Sequence, residues 1–322
     1  MLIRAIVLSL AAAAAAHGQV RSFDLGRYRL TGQFDLPPIA AAEASAITFN
    51  RTTGNLFIMG DEGDAIVEVT PAGVHVSTMA MTGFDDTEGL TYVGGPHFVL
   101  VEERLQDAYF ITYTAGGSID RAAQAVVSIG ETVGNVGLEG VCYEPATDLY
   151  FFVKEKTPQA VIEADLDFFA GIGAVGNLFN PTGLAALDLS DIQVLSVVPS
   201  LAGTPDQDNL LIYSQESSRL MEVSRAGALL SQFSFAGISG NAEGVTIDGD
   251  GVVYVCDETP RVYVLEDCYP DCNADGGLTV ADFGCFQGRY VLGDAYADCT
   301  GDTSFSVADF GCYQGKFVLG CP

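Results

Sequence analysis

The sequence predicts an all-β domain followed by a small, disulfide-linked α-helical domain, and three observations support this. Short apolar runs alternate with Gly, Asp and Asn turns over residues 27–266, without a long stretch of helical period. Six of the eight cysteines fall in the last 55 residues. Within that tail, residues 271–293 recur as residues 298–320 with 14 identities in 23 positions. We therefore place a domain boundary near residue 267.

The composition excludes two classes of protein. The 322-residue chain has 42 acidic and 14 basic residues, a formal charge of −28, and 48% hydrophobic residues. A chain with this apolar content can bury a core, so it is not a disordered acidic tail. Its acidity leaves nothing to neutralise a run of phosphates, which excludes a nucleic-acid binder. The three histidines, at positions 17, 75 and 97, leave little room for a His-rich zinc site or a Ser-His-Asp triad.

The N-terminus has the pattern of a signal peptide. Residues 1–18 contain one basic residue, an apolar run rich in alanine and a final Ala-His-Gly that suits signal peptidase. We expect a mature chain that begins at Gln19 and is secreted, displayed on the cell surface or retained in the periplasm. Export would allow the cysteines to form disulfides. No later window holds 18 consecutive apolar residues, so we expect no membrane span.

The large region, residues 19–266, contains a subtle repeat with two signals. The first is an acidic or hydroxyl residue that precedes a small and then an aliphatic residue, as in Glu88-Gly89-Leu90. It recurs at intervals of 43 to 53 residues, at positions 45, 88, 139, 190 and 243. The second signal is a Glu that follows the next apolar strand, namely Glu62, Glu103, Glu155, Glu216 and Glu258.

This period indicates a β-propeller. A four-stranded unit that repeats at about 45–50 residues is typical of a propeller blade. The motifs predict five blades, and a sixth could lie in the poorly patterned segment 165–189. Residues 28–35 precede the first motif, while the last unit lacks an outer strand. We therefore expect the N-terminal strand to complete the last blade and to close the ring without a free edge.

Both signals should lie at one mouth of the central channel, because the first strand of a blade starts where the second strand ends. The candidate channel-mouth site is formed by Glu62, Glu88, Glu103, Glu139, Glu155, Glu216, Glu243 and Glu258. These carboxylates would repel one another unless protons, cations or basic side chains offset them. The candidate basic partners are Arg104, Lys154, Lys156, Arg219 and Arg261. Two interpretations stay open: the glutamates tie neighbouring blades together, or they bind a cation or a small polar ligand.

Each copy of the C-terminal repeat carries a loop with the ligand spacing of an EF-hand-like Ca²⁺ site. The donors of the first loop are Asp271, Asn273, Asp275, the carbonyl of Gly277, Thr279 and Asp282. Those of the second loop are Asp298, Thr300, Asp302, the carbonyl of Ser304, Ser306 and Asp309. Thr300 and Thr303 replace the preferred Asn and the turn Gly, so we expect weaker binding there. The sequence thus predicts two Ca²⁺ ions in this domain, and a further cation in the channel would be compatible with its acidity.

Residues 268–322 resemble a dockerin, a small module with two such loops, each followed by a helix, that docks into a cohesin domain. The likeness rests on D-x-N-x-D-G-x-L-T-x-x-D-F in the first copy and on Asp-Phe-Gly-Cys in both helices, as in a cysteine-rich variant. The resemblance implies Ca²⁺ at both loops and a cohesin-like partner on the helix face. Val280-Ala281 and Val307-Ala308 occupy the positions that commonly set partner choice, so the partner's identity stays open. The alternative is a tail that only stabilises the C-terminus.

The cysteines divide into two groups. The six in the tail allow 15 pairings, of which we predict only Cys268 with Cys321, at the two ends of the module. Cys142 and Cys256 fall on predicted strands of non-adjacent blades, and we expect them to be buried thiols.

Residues 28–266 resemble the SdiA-regulated family of bacterial β-propellers. The likeness rests on Glu88-Gly89-Leu90 with Val101-Glu102-Glu103-Arg104, and on Glu139-Gly140-Val141 with Val153-Lys154-Glu155-Lys156. This resemblance implies the fold and little chemistry. A weaker likeness exists to phytase-like esterase propellers.

The sequence thus predicts a secreted β-propeller that binds or scaffolds other molecules and is displayed through a Ca²⁺-dependent interaction of the dockerin–cohesin type. The alternative is a metal-dependent extracellular hydrolase, a phosphatase or esterase that uses the acidic channel mouth. No nucleophile with an adjacent base is apparent, and we expect a binding protein rather than an enzyme. The match to G-x-G-x-x-G at residues 171–176 lacks a βαβ context, so we expect an inter-strand loop there.

Overall fold

The computed structural model describes residues 22–37, 43–302 and 304–322. The predicted signal peptide lies outside these residues. The described chain forms five β-sheets and, at its C-terminal end, two α-helices. Each sheet contains one copy of the two-signal repeat, so the number of blades is five.

The five sheets are blades 1 to 5 in chain order, and each contains four antiparallel strands. The N-terminal strand is β1 (Tyr28–Asp35). Blade 1 contains β2 (Ala44–Asn50), β3 (Asn55–Gly60), β4 (Ala65–Val69) and β5 (His75–Thr82). Blade 2 contains β6 (Thr87–Gly94), β7 (His97–Glu102), β8 (Asp107–Thr112) and β10 (Ala125–Ser128). The short strand β9 (Ser118–Asp120), between β8 and β10 in the chain, pairs in parallel with β5 of blade 1.

The remaining strands follow the same plan. Blade 3 contains β11 (Leu138–Glu144), β12 (Leu149–Lys154), β13 (Ala160–Asp167) and β14 (Ile172–Phe179). Blade 4 contains β15 (Asp191–Val194), β16 (Leu210–Ser214), β17 (Arg219–Val223) and β18 (Leu229–Ser234). Blade 5 contains β19 (Ala242–Ile247), β20 (Val253–Asp257) and β21 (Arg261–Asp267). The helices are α1 (Val280–Leu292) and α2 (Val307–Leu319).

The ring is closed by the N-terminal strand, as the sequence predicts. Strand β1 pairs antiparallel with β21, from Tyr28 opposite Asp267 to Asp35 opposite Arg261. The last blade therefore joins strands from both ends of the propeller, with β1 as its outermost strand.

A sixth blade within residues 165–189 was the wrong alternative. That segment contains the end of β13, all of β14 and a short 3-10 turn at Pro181–Leu184. Strand β14 is mostly exposed, and this explains its weak apolar pattern. The Gly-rich match at residues 171–176 lies largely in this strand, so its interpretation as an inter-strand loop was also wrong.

The glycine of each Glu-Gly motif allows neighbouring inner strands to pack closely. A Cβ atom at Gly89 would lie 2.9 Å from the backbone nitrogen of Val141 on blade 3. A Cβ atom at Gly244 would lie 2.7 Å from the carbonyl oxygen of Ser45 on blade 1. Side chains do not approach backbone atoms this closely, so glycine is required at both positions. The motif thus brings blades 2 and 3, and blades 5 and 1, into contact around the channel.

The residue before each of these glycines lies at an irregularity in strand pairing. The register of β6 with β7 shifts across Glu88, and that of β11 with β12 shifts across Glu139. Strands β19 and β20 show the same irregularity across Glu243 and Gly244. A bulge leaves a residue outside the regular ladder and turns its side chain. The three glutamates consequently face the channel instead of alternating between the faces of the blade.

Threonine side chains also join neighbouring inner strands. Thr91 Oγ1 accepts a hydrogen bond from the backbone nitrogen of Tyr143 at 3.0 Å. Thr246 Oγ1 accepts one from the backbone nitrogen of Phe49 at 3.0 Å. These bonds satisfy amide groups that face the next blade rather than a strand of their own sheet.

Blade 4 replaces the Glu-Gly pair by Ser190-Asp191. The buried carboxyl of Asp191 accepts hydrogen bonds from the backbone nitrogens of Ile192 and Val245, each at 2.7 Å. Burial raises the pKa of Asp191 well above its ordinary value of 3.8. A short acidic side chain here therefore links blade 4 to blade 5 instead of entering the channel.

The propeller core consists of aliphatic and aromatic side chains between adjacent blades. Cys142 on β11 and Cys256 on β20 are buried and form no disulfide, as predicted. Burial raises the pKa of both thiols, so they stay protonated.

The C-terminal module, residues 268–322, contains two matching loop-helix units. Thr279 and Ser306 cap the two helices, and each forms a capping box with an aspartate three residues later. The predicted pair Cys268–Cys321 is formed, together with Cys272–Cys285 and Cys299–Cys312. The helices enclose an aromatic core that includes Phe286, Tyr296 and Tyr313. In the described part of the chain, no helix has the length and apolar character needed to cross a membrane.

Candidate cation sites

An acidic cavity of about 290 Å³ lies where the inner strands of the propeller begin. Among the described residues that line it, eight carry carboxyl groups and one is basic. Its lining consists of Asp61, Asp86, Glu88, Arg104, Asn135, Glu139, Glu155, Asp188, Ser190, Gln215, Glu243 and Glu258. Every one of these side chains is polar, so the cavity has no apolar surface for a hydrophobic ligand.

The structure brings most of the predicted channel-mouth glutamates together. Five of the eight line the cavity, namely Glu88, Glu139, Glu155, Glu243 and Glu258. Glu103 is 1% exposed and lies behind the lining, where its carboxyl accepts a hydrogen bond from the backbone nitrogen of Gly137 at 2.9 Å. Glu62 is exposed, and Glu216 pairs with Lys156 at 2.7 Å outside the lining.

Glu62 and Glu216 were predicted to line the cavity, but in each of their blades the residue that lines it is one position earlier in the sequence. In blades 2, 3 and 5 the glutamate directly follows the second strand, whereas Glu62 and Glu216 follow theirs by two residues. Asp61 and Gln215 take the equivalent position in blades 1 and 4, and both line the cavity. The backbone nitrogens of residues 61, 103, 155 and 258 all bond to carbonyl oxygens just before an inner strand, at 2.9 to 3.2 Å.

Two further acidic residues were missed by the sequence analysis. Asp86 and Asp188 each stand two residues before the key position of a motif, at Glu88 and Ser190. Asp188 is 1% exposed and accepts hydrogen bonds from Ser214 and from the backbone of Glu216. A search for acidic residues just before the inner strand would have found both.

Burial and crowding hold protons on the cavity carboxyls. Burial, together with Glu243 and Asp61, raises the pKa of Glu88 well above 4.5. Burial and the charge of Glu88 likewise raise the pKa of Glu139 well above 4.5. Burial and the adjacent Glu258 raise the pKa of Glu243 to about 9. A cation in the cavity would oppose these shifts, because its positive charge would stabilise the ionised carboxylates.

The pKa shifts extend to the walls of the cavity. Burial, together with the nearby Asp86 carboxyl, raises the pKa of Glu103 to about 7. Burial, then the charge of Glu43, raises the pKa of Asp61 to about 6. At neutral pH the cavity therefore contains both protonated and ionised carboxyls.

The geometry of the carboxyl oxygens fits a hard cation. The groups Asp86, Glu88 and Glu103, and Glu103, Glu139 and Glu155, each offer oxygen atoms within 4.8 Å of one another. Asp86 Oδ2 is buried without a hydrogen-bond partner among the described residues. Clustered carboxylate oxygens are the ligands that Ca²⁺ prefers in proteins.

The predicted basic partners have different roles. Arg104 pairs with Asp86 at 2.8 Å and lines the cavity, and Lys156 bridges Glu155 and Glu216. Lys154 bonds to the carbonyl oxygens of residues 136 and 156. Arg219 and Arg261 lie away from the cavity. Arg219 donates hydrogen bonds to residues 184 and 232, and Arg261 pairs with Asp35.

The first loop of the C-terminal module is folded around its predicted donors. Asp271 and Asp282 have no exposed surface, although both are carboxylates. Asp282 accepts a hydrogen bond from the backbone nitrogen of Thr279 at 2.8 Å, and Asp271 accepts one from that of Gly276 at 3.0 Å. Gly276 has φ of 90°, which allows the sharp turn at loop position 6. Three carboxylates, two side-chain polar groups and one carbonyl fit a calcium ion.

The second loop repeats this geometry. Asp309 has no exposed surface and accepts a hydrogen bond from the backbone nitrogen of Ser306 at 2.8 Å. Thr300 donates a side-chain hydrogen bond to Asp309 at 2.9 Å, at the place of Asn273 in the first loop. The donor set again fits a calcium ion, with a hydroxyl in place of an amide oxygen.

A solved structure supports the overall fold. The crystal structure of Myxococcus xanthus glutaminyl cyclase superposes with a TM-score of 0.50 and 12% identity, over 74% of this chain and 95% of that chain. Virginiamycin B lyase from Staphylococcus aureus has a TM-score of 0.39 and 12% identity, over 69% of this chain and 65% of that chain. This chain thus spans less than two thirds of the lyase, and identities this low bear on the fold alone.

A family model assigns the propeller directly. The model described as SdiA-regulated matches residues 22–266, which include all five blades and about three quarters of the chain. The chain therefore belongs to the SdiA-regulated family.

Proposed function

We propose that the protein is an exported binding protein whose C-terminal module is a dockerin-like, Ca²⁺-dependent attachment domain. The observation that carries this proposal is a duplicated apolar surface on the two helices. Val280, Val291 and Leu292 on α1 are 70 to 87% exposed, and their counterparts Val307, Val318 and Leu319 on α2 are 78 to 86% exposed. Large apolar side chains that stay exposed at matching positions support a protein partner, here a cohesin-like domain.

The test is capture of the partner from the envelope fraction with Ca²⁺ and with EDTA. The full-length protein should retain a cohesin-like partner only with Ca²⁺, because the loops position both helices. The double variant Val280→Asp, Val307→Asp should lose this partner, since a charge in an apolar interface is costly. Val74→Asp, at an exposed valine of the propeller, is the matched control and should retain it. Retention of the same partner in EDTA would contradict the proposal.

Export is a separate part of this proposal. Its support is the signal-peptide pattern of residues 1–18 and the three disulfides of the module. The protein recovered from the medium or the cell surface should have a mass that corresponds to a chain beginning at Gln19. A cytoplasmic protein with an intact N-terminus would contradict export.

For the propeller we propose that the acidic cavity binds one hard divalent cation, in addition to the two ions of the module. The support is the buried, unbonded Asp86 Oδ2 beside the oxygens of Glu88 and Glu103. Calorimetric titration with Ca²⁺ should give about three ions per chain for the wild type and about two for Asp86→Asn, Glu88→Gln. The control Glu131→Gln, in an exposed loop, should keep the wild-type number. Two ions in the wild type would contradict a channel site.

A metal-dependent hydrolase is the second candidate. It is favoured by Glu243, whose pKa of about 9 in the metal-free cavity fits a proton donor at neutral pH, and by Arg104, which also lines the cavity. Phosphate and ester substrates should be screened with the wild type and with Glu243→Gln. An activity that disappears in this variant while its melting temperature is kept would favour the enzyme. Absence of turnover by the wild type would leave the binding function as the better account.

A further inference from the structure

The first calcium loop of the module contacts the strand that closes the propeller. Arg29, the second residue of β1, forms an ion pair with Asp271, the first ligand of that loop. The arginine is anchored on its own strand, because its Nη1 atom donates to the carbonyl oxygens of Gly26 and Tyr28 at 3.0 and 2.7 Å. Asp271 is fully buried, so this guanidinium replaces water around its carboxylate.

The contact is continuous with the strand ladder. The backbone nitrogen of Cys268 donates to the carbonyl oxygen of Arg27 at 3.0 Å, which extends the pairing of β1 and β21 into the module. Arg27 is 2% exposed, pairs with Asp267 at 2.9 Å, and lies over the ring of Tyr296 with 5.4 Å to its centroid. The module thus packs on the same segment that closes the ring.

The first loop and the residue Gly26, shortly before β1, are closely packed against each other. A Cβ atom at Gly26 would lie 3.2 Å from the Cβ atom of Ala274, at loop position 4. A larger side chain at either position would separate the loop from β1.

The guanidinium engages the carboxylate in a way that leaves the loop able to bind an ion. Arg29 donates to Asp271 Oδ2, the oxygen that also accepts from the backbone of Gly276. Asp271 Oδ1 accepts a hydrogen bond from the backbone nitrogen of Asp275 at 3.2 Å, inside the loop. Arg29 therefore fixes the orientation of the first ligand through one oxygen and leaves the other toward the ion site.

The charges of the loop agree with this arrangement. The first loop contributes three carboxylates, Asp271, Asp275 and Asp282, for a charge of −3. A calcium ion and the Arg29 guanidinium together supply +3, so the loaded loop is neutral only while β1 stays in place. Fixing a ligand before the ion arrives also reduces the entropy lost on binding.

We propose that calcium binding at the first loop is coupled to closure of the propeller: Arg29 links Asp271 to β1, so that the ion stabilises the pairing of β1 with β21. The inference rests on the proposed calcium binding. Coupling is reciprocal, so whatever protection calcium gives to β1 must be matched by a gain in calcium affinity when β1 is docked.

Hydrogen–deuterium exchange of the full-length protein over a calcium titration tests this. In the wild type, calcium should slow exchange in peptides from residues 271–282, 298–309 and 28–35. In Arg29→Met, protection of 28–35 by calcium should disappear, and half-protection of 271–282 should require about tenfold more calcium. The second loop, 298–309, should keep its wild-type midpoint and so serves as an internal control.

Two variants show whether the effect is specific. Arg261→Met breaks the ion pair with Asp35 at the opposite end of the same strand pair, and it should leave the calcium protection of 28–35 intact. Arg29→Lys keeps the charge and should restore part of the coupling. This variant also keeps the test open if Arg29→Met does not fold.

The outcomes separate the two proposals. Calcium protection of both loops without any effect on 28–35 in the wild type would overturn the coupling and leave the calcium sites standing. An unchanged or tighter midpoint for the first loop in Arg29→Met would overturn it as well. If calcium protected neither the first loop nor the second, the calcium sites themselves would be overturned, and the coupling with them.

Discussion

Gly140 on blade 3 lies so close to Asp191 on blade 4 that a Cβ atom at residue 140 would be 2.6 Å from Asp191 Cα. The atom in the way belongs to the backbone, so it cannot move aside as the end of a flexible side chain could. Asp191 is also held by hydrogen bonds from Ile192 and Val245. This contact therefore fixes the distance between two inner strands and, with it, the width of the channel.

Gly140→Ala should destabilise the propeller by about 1–3 kcal/mol, because added volume at a closely packed contact forces the backbone to shift. The free energy of unfolding from urea titrations measures this cost. Gly176→Ala is the matched control, since Gly176 lies in outer strand β14 with no atom within 4 Å of an added Cβ among the described residues. Equal stabilities of the two variants would contradict the proposed role of the glycine.

Thr91→Val should cost about 1–3 kcal/mol, because it leaves the backbone N–H of Tyr143 without its acceptor between two blades. Valine has nearly the shape of threonine, so the change removes a hydrogen bond without opening a cavity. Thr132→Val, in an exposed loop, should be near neutral in the same urea titration. A neutral Thr91→Val would show that the amide finds another partner.

The repeat and the closure of the ring could be predicted from the sequence because both depend on local, recurring constraints. The Glu-Gly motif recurs because a bulge turns the glutamate toward the channel and the glycine admits the next strand. Strand β14 could not be predicted, since exposed outer strands need no apolar alternation.

The lining of the cavity was predicted less completely, because the position of the lining residue after the second strand was wrong by one residue in two blades. A shift of one residue along an extended chain sends a side chain to the other face. Asp61 and Gln215, not Glu62 and Glu216, directly follow the second strands of their blades and reach the cavity. The sequence pattern had favoured the glutamates because their residue type matched the other blades.

The disulfides of the module should differ in their contribution to its stability. Cys268–Cys321 closes a loop with a separation of 53 residues, whereas Cys272–Cys285 and Cys299–Cys312 each span 13. In the chain-entropy model, the longer loop contributes about 4 kcal/mol and each shorter loop about 3 kcal/mol. Replacing both cysteines of a pair by serine, at one fixed Ca²⁺ concentration, should therefore weaken helix protection most for Cys268 and Cys321. Hydrogen exchange of α1 and α2 measures this, and a larger loss from a 13-residue pair would contradict the entropic account.

The acidic cavity should make the stability of the metal-free protein fall as pH rises. In the folded state Glu243 keeps its proton to about pH 9, Glu103 to about 7 and Asp61 to about 6, whereas an unfolded chain loses these protons near 4. The folded state thus binds more protons than the unfolded state between these limits. Each such carboxyl lowers the free energy of unfolding by about 1.4 kcal/mol per pH unit over its own window.

In EDTA the melting temperature should accordingly decrease as pH increases from about 5 to about 9, and a divalent cation should restore it at the upper end. Glu243→Gln removes one titrating group, because the amide is neutral at every pH in this window. The variant should match the wild type near pH 5 and exceed it near pH 9 in EDTA, while Glu131→Gln should follow the wild type throughout. A wild-type melting temperature that rises with pH in EDTA would mean that the carboxyls are already compensated by basic groups such as Arg104, and that the cavity has no need of a cation.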